Sequence, residues 1–482
     1  MTVLLDGRSL TVADLVAVAR DGEPVELTAA ARAHMLACRA IVDEVLEPPA
    51  GSIYGFTTGV GVRRGVTVAP SEQAGYARRM ISDHRVATGD TAPAEVVRAT
   101  LLRLANGLAN GTPGVRPELA DLVVATLNRG QLPIVRMLGS AGQSDLAPMA
   151  DLAAGLIGEF APEPGEVHAL ISNSAFSTAL AALAISDAER LLDTATVSVA
   201  LDYEAFAANP APLAAAIGRD RPYLGLVQTQ GELRAALAGS YLWQRPPRNH
   251  HDPLSFRNAP AILGAARDVL EFAGERVAIE LNASQENPMV DAESRLIIPT
   301  ANYEMIALSQ ALDLVRIALA PVLTSANERL VKLLQASLTG LSHGLEAPGS
   351  SYGTALSELA WTAQALTPEA RLLAQPVSTE VASTSQTEGT EDRISLAPLS
   401  ARRTNEMVTL GEHLITIGLV VSAQAVDLRA AAPLGEATAR CLAAVRESVP
   451  FTGAQDSIPS DLSALRELVR SGAVGAWLPG RR

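Results

Sequence analysis

Three short segments contain residues whose types and spacing could form a catalytic, nucleotide-binding or metal-binding site. Gly340-Leu341-Ser342-His343-Gly344 has the letters of a hydrolase nucleophile turn, but the surrounding pattern is helical and Gly-rich instead of strand, turn and helix. Gly59-Val60-Gly61-Val62-Arg63-Arg64-Gly65 misses the dinucleotide-binding spacing by one residue. His250-His251-Asp252 has no spaced partner histidine that would converge on the same ion. We therefore predict no hydrolytic serine, nucleotide site or metal site at these segments.

A Gly- and Ser-rich loop is the most informative segment of the chain. It reads Gly139-Ser140-Ala141-Gly142-Gln143-Ser144-Asp145-Leu146-Ala147-Pro148-Met149. This resembles the Gly-Ser-x-Gly-Ala-Ser-Gly-Asp-Leu-Ala-Pro-Leu loop of the histidine and aromatic amino-acid ammonia-lyases and aminomutases. In that family the Ala-Ser-Gly triplet cyclises and dehydrates into methylidene-imidazolone, an electrophile made from backbone. Here Gln143-Ser144 runs directly into Asp145, so one glycine is missing.

Other blocks resemble the same family in the same order along the chain. They are Tyr54-Gly55-Phe56-Thr57-Thr58-Gly59, Ser82-Asp83-His84, the stretch from Arg98 to Arg116, Asp252-Pro253-Leu254-Ser255-Phe256-Arg257, Glu280-Leu281-Asn282-Ala283-Ser284-Gln285-Glu286-Asn287-Pro288, Ala301-Asn302-Tyr303-Glu304 and Thr390-Glu391-Asp392-Arg393-Ile394-Ser395-Leu396. Any single block is a weak signal, but their order identifies the chain as a member of this superfamily.

The resemblance implies an acid–base residue and a carboxylate-binding residue. Tyr54 matches the family's catalytic tyrosine, and a phenol needs a pKa lowered by nearby positive charge or donors to act as a base. The alternative is a half-buried tyrosine that only satisfies a backbone group. Arg257 matches the arginine that binds the substrate carboxylate with its bidentate fork. The alternative there is a salt bridge at a helix terminus.

The remaining matches imply contacts with the substrate and with the electrophile. His84 and Glu391 match positions that contact the substrate side chain or amine, which favours a polar or imidazole-like substrate; the alternative is a surface histidine and a solvated acid. Asn302 and Asn173 match amide donors near the electrophile, although Ile171-Ser172-Asn173-Ser174 aligns in two ways, which leaves Ser172 as the alternative to Asn173.

Several departures from the family cluster at these site positions. Leu254 stands where the family has a second active-site tyrosine, and Tyr303-Glu304 replaces Phe-His. Asp145 brings a Cβ and a charge where ring closure of the triplet favours glycine. We therefore expect that Ser144 is not converted into the electrophile and that no external cofactor is used.

This pattern leaves three hypotheses for function. The first is an electrophile-free enzyme that uses Tyr54, Tyr303, Glu304 and Glu391 for acid–base elimination, addition, cyclisation or isomerisation on a small amino-acid-derived substrate. The second is a true ammonia-lyase or aminomutase whose prosthetic group forms from Gln143-Ser144-Asp145. The third is a binding homologue without catalysis.

Helical periodicity predicts a mainly α fold. Apolar stripes run along Ala94 to Leu108, Glu304 to Ala320 and Thr404 to Val421, and Pro321 indicates a stop or kink after the second. The charged residues Arg98 and Arg103 are expected to point away from the first stripe. We predict a bundle of long antiparallel helices over 201-482 and a smaller mixed region with the catalytic loops over 1-200, forming one continuous body.

Composition limits the partners and the compartment. The net charge of -14 argues against nucleic acid or an anionic membrane as a partner. Cys38 and Cys441 form no metal or redox motif, and the N-terminus has no secretory pattern, so a cytoplasmic protein is expected. The apolar stretch Leu414–Ala425 is too short to span a bilayer. By resemblance the chain would bind a small carboxylate substrate as a homotetramer with shared active sites.

Overall fold

The structure is a computed structural model that describes residues 2–47, 51–350, 355–379 and 387–478. In these ranges helices dominate, and the strands form short two-stranded sheets. The strands are β1 (Val3–Leu5), β2 (Val25–Leu27), β3 (Thr88–Thr91), β4 (Arg136–Leu138), β5 (Met289–Asp291) and β6 (Leu296–Ile298). β1 and β2 are parallel, whereas β3 with β4 and β5 with β6 are antiparallel. The prediction of a mainly α fold is confirmed.

The helices vary from single turns to rods of more than eight turns. The α-helices are α1 (Val12–Val16), α2 (Ala29–Leu46), α3 (Gln73–His84), α4 (Ala94–Ala109), α5 (Pro117–Arg129), α6 (Leu146–Ile157), α7 (Glu166–Ile171), α8 (Ala175–Phe206), α9 (Ala215–Asp220), α10 (Leu224–Ala236), α11 (Leu254–Arg257), α12 (Ala259–Asn282), α13 (Ile306–Leu333), α14 (Ala336–Thr339), α15 (Ser357–Leu373), α16 (Ala397–Arg429), α17 (Glu436–Ser448) and α18 (Ser463–Arg470). A π-helix spans Ala17–Asp21, and short 3-10 helices span Gly61–Arg63, Pro70–Glu72, Ala211–Leu213, Tyr241–Trp243, His343–Leu345, Thr387–Gly389 and Gly475–Trp477.

The three predicted apolar stripes correspond to α4, α13 and α16. Pro321 lies inside α13, which continues for another twelve residues to Leu333, so of the predicted stop or kink the stop was wrong. Arg103 is fully buried, and its guanidinium donates to the carbonyls of Glu280 and Ala283, both at 2.8 Å. A buried arginine at this place satisfies carbonyls at the end of α12 that have no partner within that helix.

The chain divides into two compact units. Unit 1 comprises Met1–Ser186, Ala273–Leu312 and Pro376–Arg402, and unit 2 comprises Asp187–Phe272, Asp313–Gln375 and Arg403–Arg482. Boundaries between the units fall inside α8, α12, α13 and α16. The predicted division at residues 200 and 201 stays a prediction.

Each unit has its own packed interior. In unit 1, Phe56 packs in a buried cluster with Cys38, Ile41, Val42 and Val290, and this fixes the loop that carries Tyr54. Core clusters of this kind stabilise a domain through the apolar surface that they remove from water.

Aromatic rings and a buried ion pair mark the interior of unit 2. Phe206 stacks on Phe256 with ring centroids 4.3 Å apart, and the Tyr203 hydroxyl donates to the Phe256 carbonyl at 2.8 Å. Arg329 Nε lies 2.6 Å from a carboxylate oxygen of Asp202 in the same interior. The burial of such a pair is tolerated because both charges are hydrogen-bonded.

Among the described residues, three helical segments are long and apolar enough to cross a membrane by length and composition alone. They are Glu166–Phe206, Ile306–Leu333 and Ala397–Arg429, and 94%, 56% and 72% of their most apolar windows are buried inside the protein. The stretch Leu414–Ala425 is too short by itself but lies within the third segment, which as a whole is long and apolar enough by length and composition. Burial within the protein accounts for most of the apolar character of these segments.

Candidate active site

Unit 1 contains a cavity of about 870 Å³. Its wall brings together five of the predicted site residues, which come from loops and helix ends far apart in sequence. They are Tyr54, His84, Ser144, Tyr303 and Glu391. A concave site of this size with convergent polar groups is the usual location for small-molecule binding.

A tight turn holds Tyr54 at the cavity. The backbone N–H groups of Phe56, Thr57 and Thr58 all donate to the carbonyl of Ile53 at 3.0 to 3.2 Å. The turn requires Gly55, whose φ of +74° is in the left-handed region. The Tyr54 hydroxyl accepts a hydrogen bond from the backbone N–H of Gly61 at 3.2 Å.

The phenol of Tyr54 is protonated at neutral pH. Burial raises its pKa above the ordinary value of 10.0, and the negative charge of Glu391 raises it further, whereas the Gly61 N–H and Arg64 lower it. The lowered pKa that Tyr54 would need in order to act as a base is therefore not met, because burial outweighs the nearby donors. In this structure Tyr54 can donate a proton more readily than it can accept one.

Tyr303 is a second phenol on the cavity wall. Burial raises its pKa above 10.0, and the neighbouring Glu391, Tyr54 and Glu304 raise it further. Glu391 itself is exposed to solvent. Tyr54 and Tyr303 are thus protonated phenols on the same wall as the accessible carboxylate of Glu391, an arrangement suited to proton transfer.

The loop that carries Ser144 is fixed against the start of α16. The Ser395 hydroxyl donates to the Gly142 carbonyl at 2.6 Å, and the Leu396 N–H donates to the Ala141 carbonyl at 3.0 Å. A Cβ at position 142 would lie 2.3 Å from the Ser395 hydroxyl oxygen, so only glycine fits there. Ser144 is buried with a φ of +57°, and its hydroxyl lies 3.3 Å from that of Ser172.

Asp145 is anchored through both its backbone and its side chain. Its backbone N–H donates to the carbonyl of Asn173 at 2.7 Å. Its carboxylate accepts hydrogen bonds from the hydroxyl of Ser140 at 2.6 Å and from the N–H and hydroxyl of Ser177, both at 2.7 Å. Burial raises the pKa of this carboxyl group above 3.8, although these donors lower it.

These contacts do not fit a methylidene-imidazolone. Ring closure would need the nitrogen of Asp145 to attack the carbonyl of Gln143, but that nitrogen is bound to Asn173 and its residue carries a fixed side chain. Gln143 is itself paired with Glu304, through a backbone bridge and a side-chain hydrogen bond of 3.0 Å.

The predicted amide donors lie elsewhere. The side-chain amide of Asn173 donates to the carbonyls of Ala169 and Leu170 at 2.9 and 3.1 Å, so it caps the end of α7 instead of facing the cavity. Ser172, the alternative in the sequence, lines the cavity. Asn302 is exposed and its amide lies 3.3 Å from the Ser284 hydroxyl, outside the cavity wall.

Three further predicted residues do not line the cavity. Glu304 accepts hydrogen bonds from Gln143 and from the N–H of Ile306, so it supports the loop. Arg257 and Leu254 belong to α11 in unit 2. The Arg257 guanidinium donates to the Asp252 carbonyl at 2.8 Å, and Leu254 is 59% exposed.

Sequence analysis missed several charged residues on the wall. Arg63, Arg79 and Arg393 line the cavity, as do Glu72 and Asp83. Arginine binds carboxylates well because its donors form a planar fork. Arg393 follows Glu391 by two residues within a block already recognised in the sequence, so that block was the available signal.

His168 is another wall residue that sequence analysis missed. It lies in α7, is 7% exposed and lines the cavity. Its ring packs edge-on against Tyr54, with centroids 5.6 Å apart. A lone histidine in an apolar helix gives little signal, but it precedes Ser172 by four residues, the spacing of one helix face. Among the described residues, no group of three or more His, Cys, Asp or Glu side chains is arranged to hold a metal ion.

Comparisons with known sequences agree with the motifs around this cavity. The histidine ammonia-lyase of Anaeromyxobacter sp. (strain K) is 32% identical over 508 residues, covering 98% of this chain and 99% of the relative. The histidine ammonia-lyase of Symbiobacterium thermophilum is 32% identical over 496 residues, covering 98% of this chain and 97% of the relative.

Solved structures share the fold over nearly the whole chain. The tyrosine aminomutase of Streptomyces globisporus has a TM-score of 0.91 at 26% identity, covering 100% of this chain and 99% of that one. Histidine ammonia-lyase from Trypanosoma cruzi has a TM-score of 0.88 at 26% identity, covering 99% and 95%. The ergothioneine-degrading ergothionase of Treponema denticola has a similar fold, with a TM-score of 0.91 at 24% identity, covering 98% and 99%.

The family model described as aromatic amino acid lyase matches residues 10–162 and 159–447. These matches cover most of the chain and include the loops that form the cavity. The chain therefore belongs to the aromatic amino acid lyase family.

Proposed function

We propose that this lyase-family enzyme works without a methylidene-imidazolone and catalyses an acid–base elimination, addition, cyclisation or isomerisation. Its substrate would be a small amino-acid-derived molecule with a carboxylate. The observation that carries the proposal is the anchoring of Asp145. Its backbone nitrogen is hydrogen-bonded to Asn173 and its carboxylate to Ser140 and Ser177, so the group that would close the ring is already engaged.

The proposed chemistry uses groups on the cavity wall. Tyr54 and Tyr303 remain protonated because burial raises the pKa of each phenol. They can donate protons to a leaving group or to a developing oxyanion. Glu391 is accessible to a substrate amine or imidazole. Without an electrophile, the substrate must already carry a group that leaves readily or a proton that is already acidic.

Carboxylate binding has candidates within unit 1. Arg63, Arg79 and Arg393 line the cavity, and a guanidinium holds a carboxylate through two parallel hydrogen bonds. Arg257 keeps its proposed carboxylate-binding role by family resemblance, because family members assemble each site from several subunits. Replacing each arginine in turn and comparing the KM for a substrate would distinguish these candidates.

The second candidate function is that of a true histidine or aromatic amino-acid ammonia-lyase or aminomutase. The similarity to proteins named histidine ammonia-lyase, at 32% identity over 98% of this chain, favours it. It requires a prosthetic group built from Gln143-Ser144-Asp145. A non-catalytic binding role would instead give ligand binding at the cavity without turnover.

A homotetramer is part of the proposal. Leu314 and Ile317 on α13 are 42% and 44% exposed, so this helix keeps an apolar surface that a second subunit could cover. Family members assemble each site from several subunits, and symmetric closure is common among soluble oligomers. Gel filtration with light-scattering mass detection tests this, and a monomeric mass would contradict it.

Near-ultraviolet absorbance of the wild type and of Ser144→Ala tests the electrophile-free proposal. If Ser144 stays a serine, the two proteins have the same near-ultraviolet spectrum and their turnover differs by less than about tenfold, since only one wall hydroxyl is lost. An absorbance band that disappears in Ser144→Ala, together with loss of activity, would support the second candidate instead.

A further inference from the structure

His168 is a buried imidazole that forms part of the cavity wall. It lies on α7, one helical turn before Ser172, and its ring stands nearly perpendicular to that of Tyr54 at an interplanar angle of 85°. Gly55 packs against the ring, and a Cβ there would lie 3.0 Å from the imidazole carbons. The ring therefore has little freedom to rotate.

The hydrogen bond to Asn287 fixes which ring nitrogen carries the proton. His168 Nε2 lies 2.6 Å from the Asn287 backbone carbonyl oxygen, and a carbonyl can only accept. Nε2 must therefore be the N–H donor, which leaves the lone pair on Nδ1 when the ring is neutral. In the described part of the chain, Nδ1 has no hydrogen-bond partner.

The surroundings keep this imidazole neutral. Burial lowers the pKa of His168 below 6.5, and the nearby His84 lowers it further, whereas the bond to Asn287 raises it. Tyr54 contacts its ring, and His84 is close enough to act on its charge. At neutral pH the ring thus has a free lone pair and can accept a proton.

The other groups on the wall are less suited to be the base. Tyr54, Tyr76 and Tyr303 hold their protons because burial raises the pKa of each. Glu72, Asp83 and Glu391 are exposed, so water competes for their oxygens. His84 is the nearest competitor. Its Nδ1 lies 2.7 Å from the Met80 carbonyl oxygen, and it is only partly buried.

We propose that His168 is the general base of the active site and that Tyr54 is its partner acid. This inference rests on the proposed function, because it gives the roles for an elimination without an electrophile. Nδ1 of His168 takes the proton from the substrate carbon next to the one that bears the leaving group. The C–H electron pair forms the carbon–carbon double bond, and the leaving group departs with its own bonding pair. The Tyr54 hydroxyl protonates that group, and proton exchange with solvent restores both side chains.

The first experiment needs no substrate. Diethyl pyrocarbonate acylates unprotonated, accessible imidazole nitrogen, and peptide mass mapping reports each histidine separately. The full-length protein is treated at several pH values between about 6 and 8, within which an unshifted histidine loses its proton. We expect His168 to be modified at a rate that changes little with pH. No modification at His168, or a rate that rises steeply over this range, would overturn the proposal.

The second experiment measures the kinetics of His168→Gln, His84→Gln and His34→Gln. The substrate is one found by screening amino-acid derivatives for turnover. His168→Gln can still donate to the Asn287 carbonyl but cannot accept a proton as imidazole does. We expect kcat to fall roughly 100-fold or more with little change in KM, and the acidic limb of the pH profile to disappear. His34→Gln, in α2 and outside the cavity wall, is the matched control and should behave as wild type.

The outcomes separate this inference from the proposed function. Wild-type kcat in His168→Gln, or loss of the acidic limb in His84→Gln instead, would overturn the role of His168 while leaving the electrophile-free proposal intact. A protein lighter than its translated sequence would contradict the proposed function, whereas the accessibility and protonation of His168 would still be measured by the chemical modification.

Discussion

The backbone N–H of Asp145 donates to the carbonyl oxygen of Asn173 at 2.7 Å. This bond joins the start of α6 to the end of α7, and the Asn173 side chain caps the same helix end. In the family loop that this segment resembles, the corresponding nitrogen belongs to a glycine. That nitrogen closes the methylidene-imidazolone ring onto the carbonyl of the residue two positions earlier. Here the same region of backbone holds two helices together instead, which explains why an aspartate with a fixed carboxylate is accommodated.

Restoring the missing glycine tests whether its loss is what prevents formation of the methylidene-imidazolone. In Gln143→Ala with one glycine inserted between Ser144 and Asp145, the new residue supplies a nitrogen without a Cβ. We expect this variant to be lighter than its translated sequence by two water molecules and to gain near-ultraviolet absorbance. Inserting alanine at the same place is the control and should leave the full mass. If the glycine insertion also leaves the full mass, other changes at the site prevent the cyclisation.

Gly142→Ala should destabilise the protein more than an ordinary Gly→Ala change. Gly142 has a φ of +83°, and an added Cβ would lie 2.3 Å from the Ser395 hydroxyl oxygen. Gly130 is the matched control, because its φ is +71° and nothing lies within 4 Å of its Cβ position. Urea unfolding should show a loss about 1 to 3 kcal/mol larger for Gly142→Ala than for Gly130→Ala. Equal losses would mean that the contact with Ser395 is not rigid.

Tyr54→Phe should reduce turnover without unfolding the protein. The change removes the proposed acid and one acceptor for the Gly61 N–H, but keeps the ring that packs against His168. A loss in kcat of roughly 100-fold to 10,000-fold is expected for a general acid. Tyr223→Phe in unit 2, where the side chain is 60% exposed, is the control. Turnover retained in Tyr54→Phe would remove the main support for acid–base catalysis at this residue.

Glu391→Gln should lower the pKa of Tyr54. The carboxylate of Glu391 raises the pKa of the Tyr54 phenol, so its removal makes the phenolate less unfavourable. Because the proposed acid must be protonated, the alkaline limb of the pH–activity profile should move to lower pH. Phenolate absorbance, compared between Glu391→Gln and Glu391→Gln with Tyr54→Phe, measures the shift directly.

Asp392→Asn is the control for that titration, since Asp392 does not line the cavity. It should leave the alkaline limb where it is in the wild type. An alkaline limb that moves equally in both variants would point to the overall charge of the protein instead of to the contact between Glu391 and Tyr54.

The sequence alone was sufficient to predict the family, the mainly α-helical fold class and several residues of the cavity wall. Tyr54, Ser144, Tyr303 and Glu391 line the cavity, and each was recognised from a motif block in the sequence. The choice between Asn173 and Ser172 needed coordinates, since it depends on where α7 ends. The raised pKa of Tyr54 also needed them, because burial in a cavity cannot be read from a local motif.

Other site features could not be predicted for different reasons. His168 lies in a short apolar helix, where a histidine has the same pattern as a core residue, and its role depends on a carbonyl more than a hundred residues away. Arg103 was expected only to point away from the apolar stripe, and its burial against the carbonyls of Glu280 and Ala283 could not be read from helical periodicity.

The intact mass of the purified protein tests the central claim most directly. The anchored Asp145 and the missing glycine predict a mass equal to that of the translated sequence, with Ser144 recovered as unmodified serine in the corresponding peptide. A mass lower by two water molecules, located to the peptide that contains Gln143-Ser144-Asp145, would contradict the account.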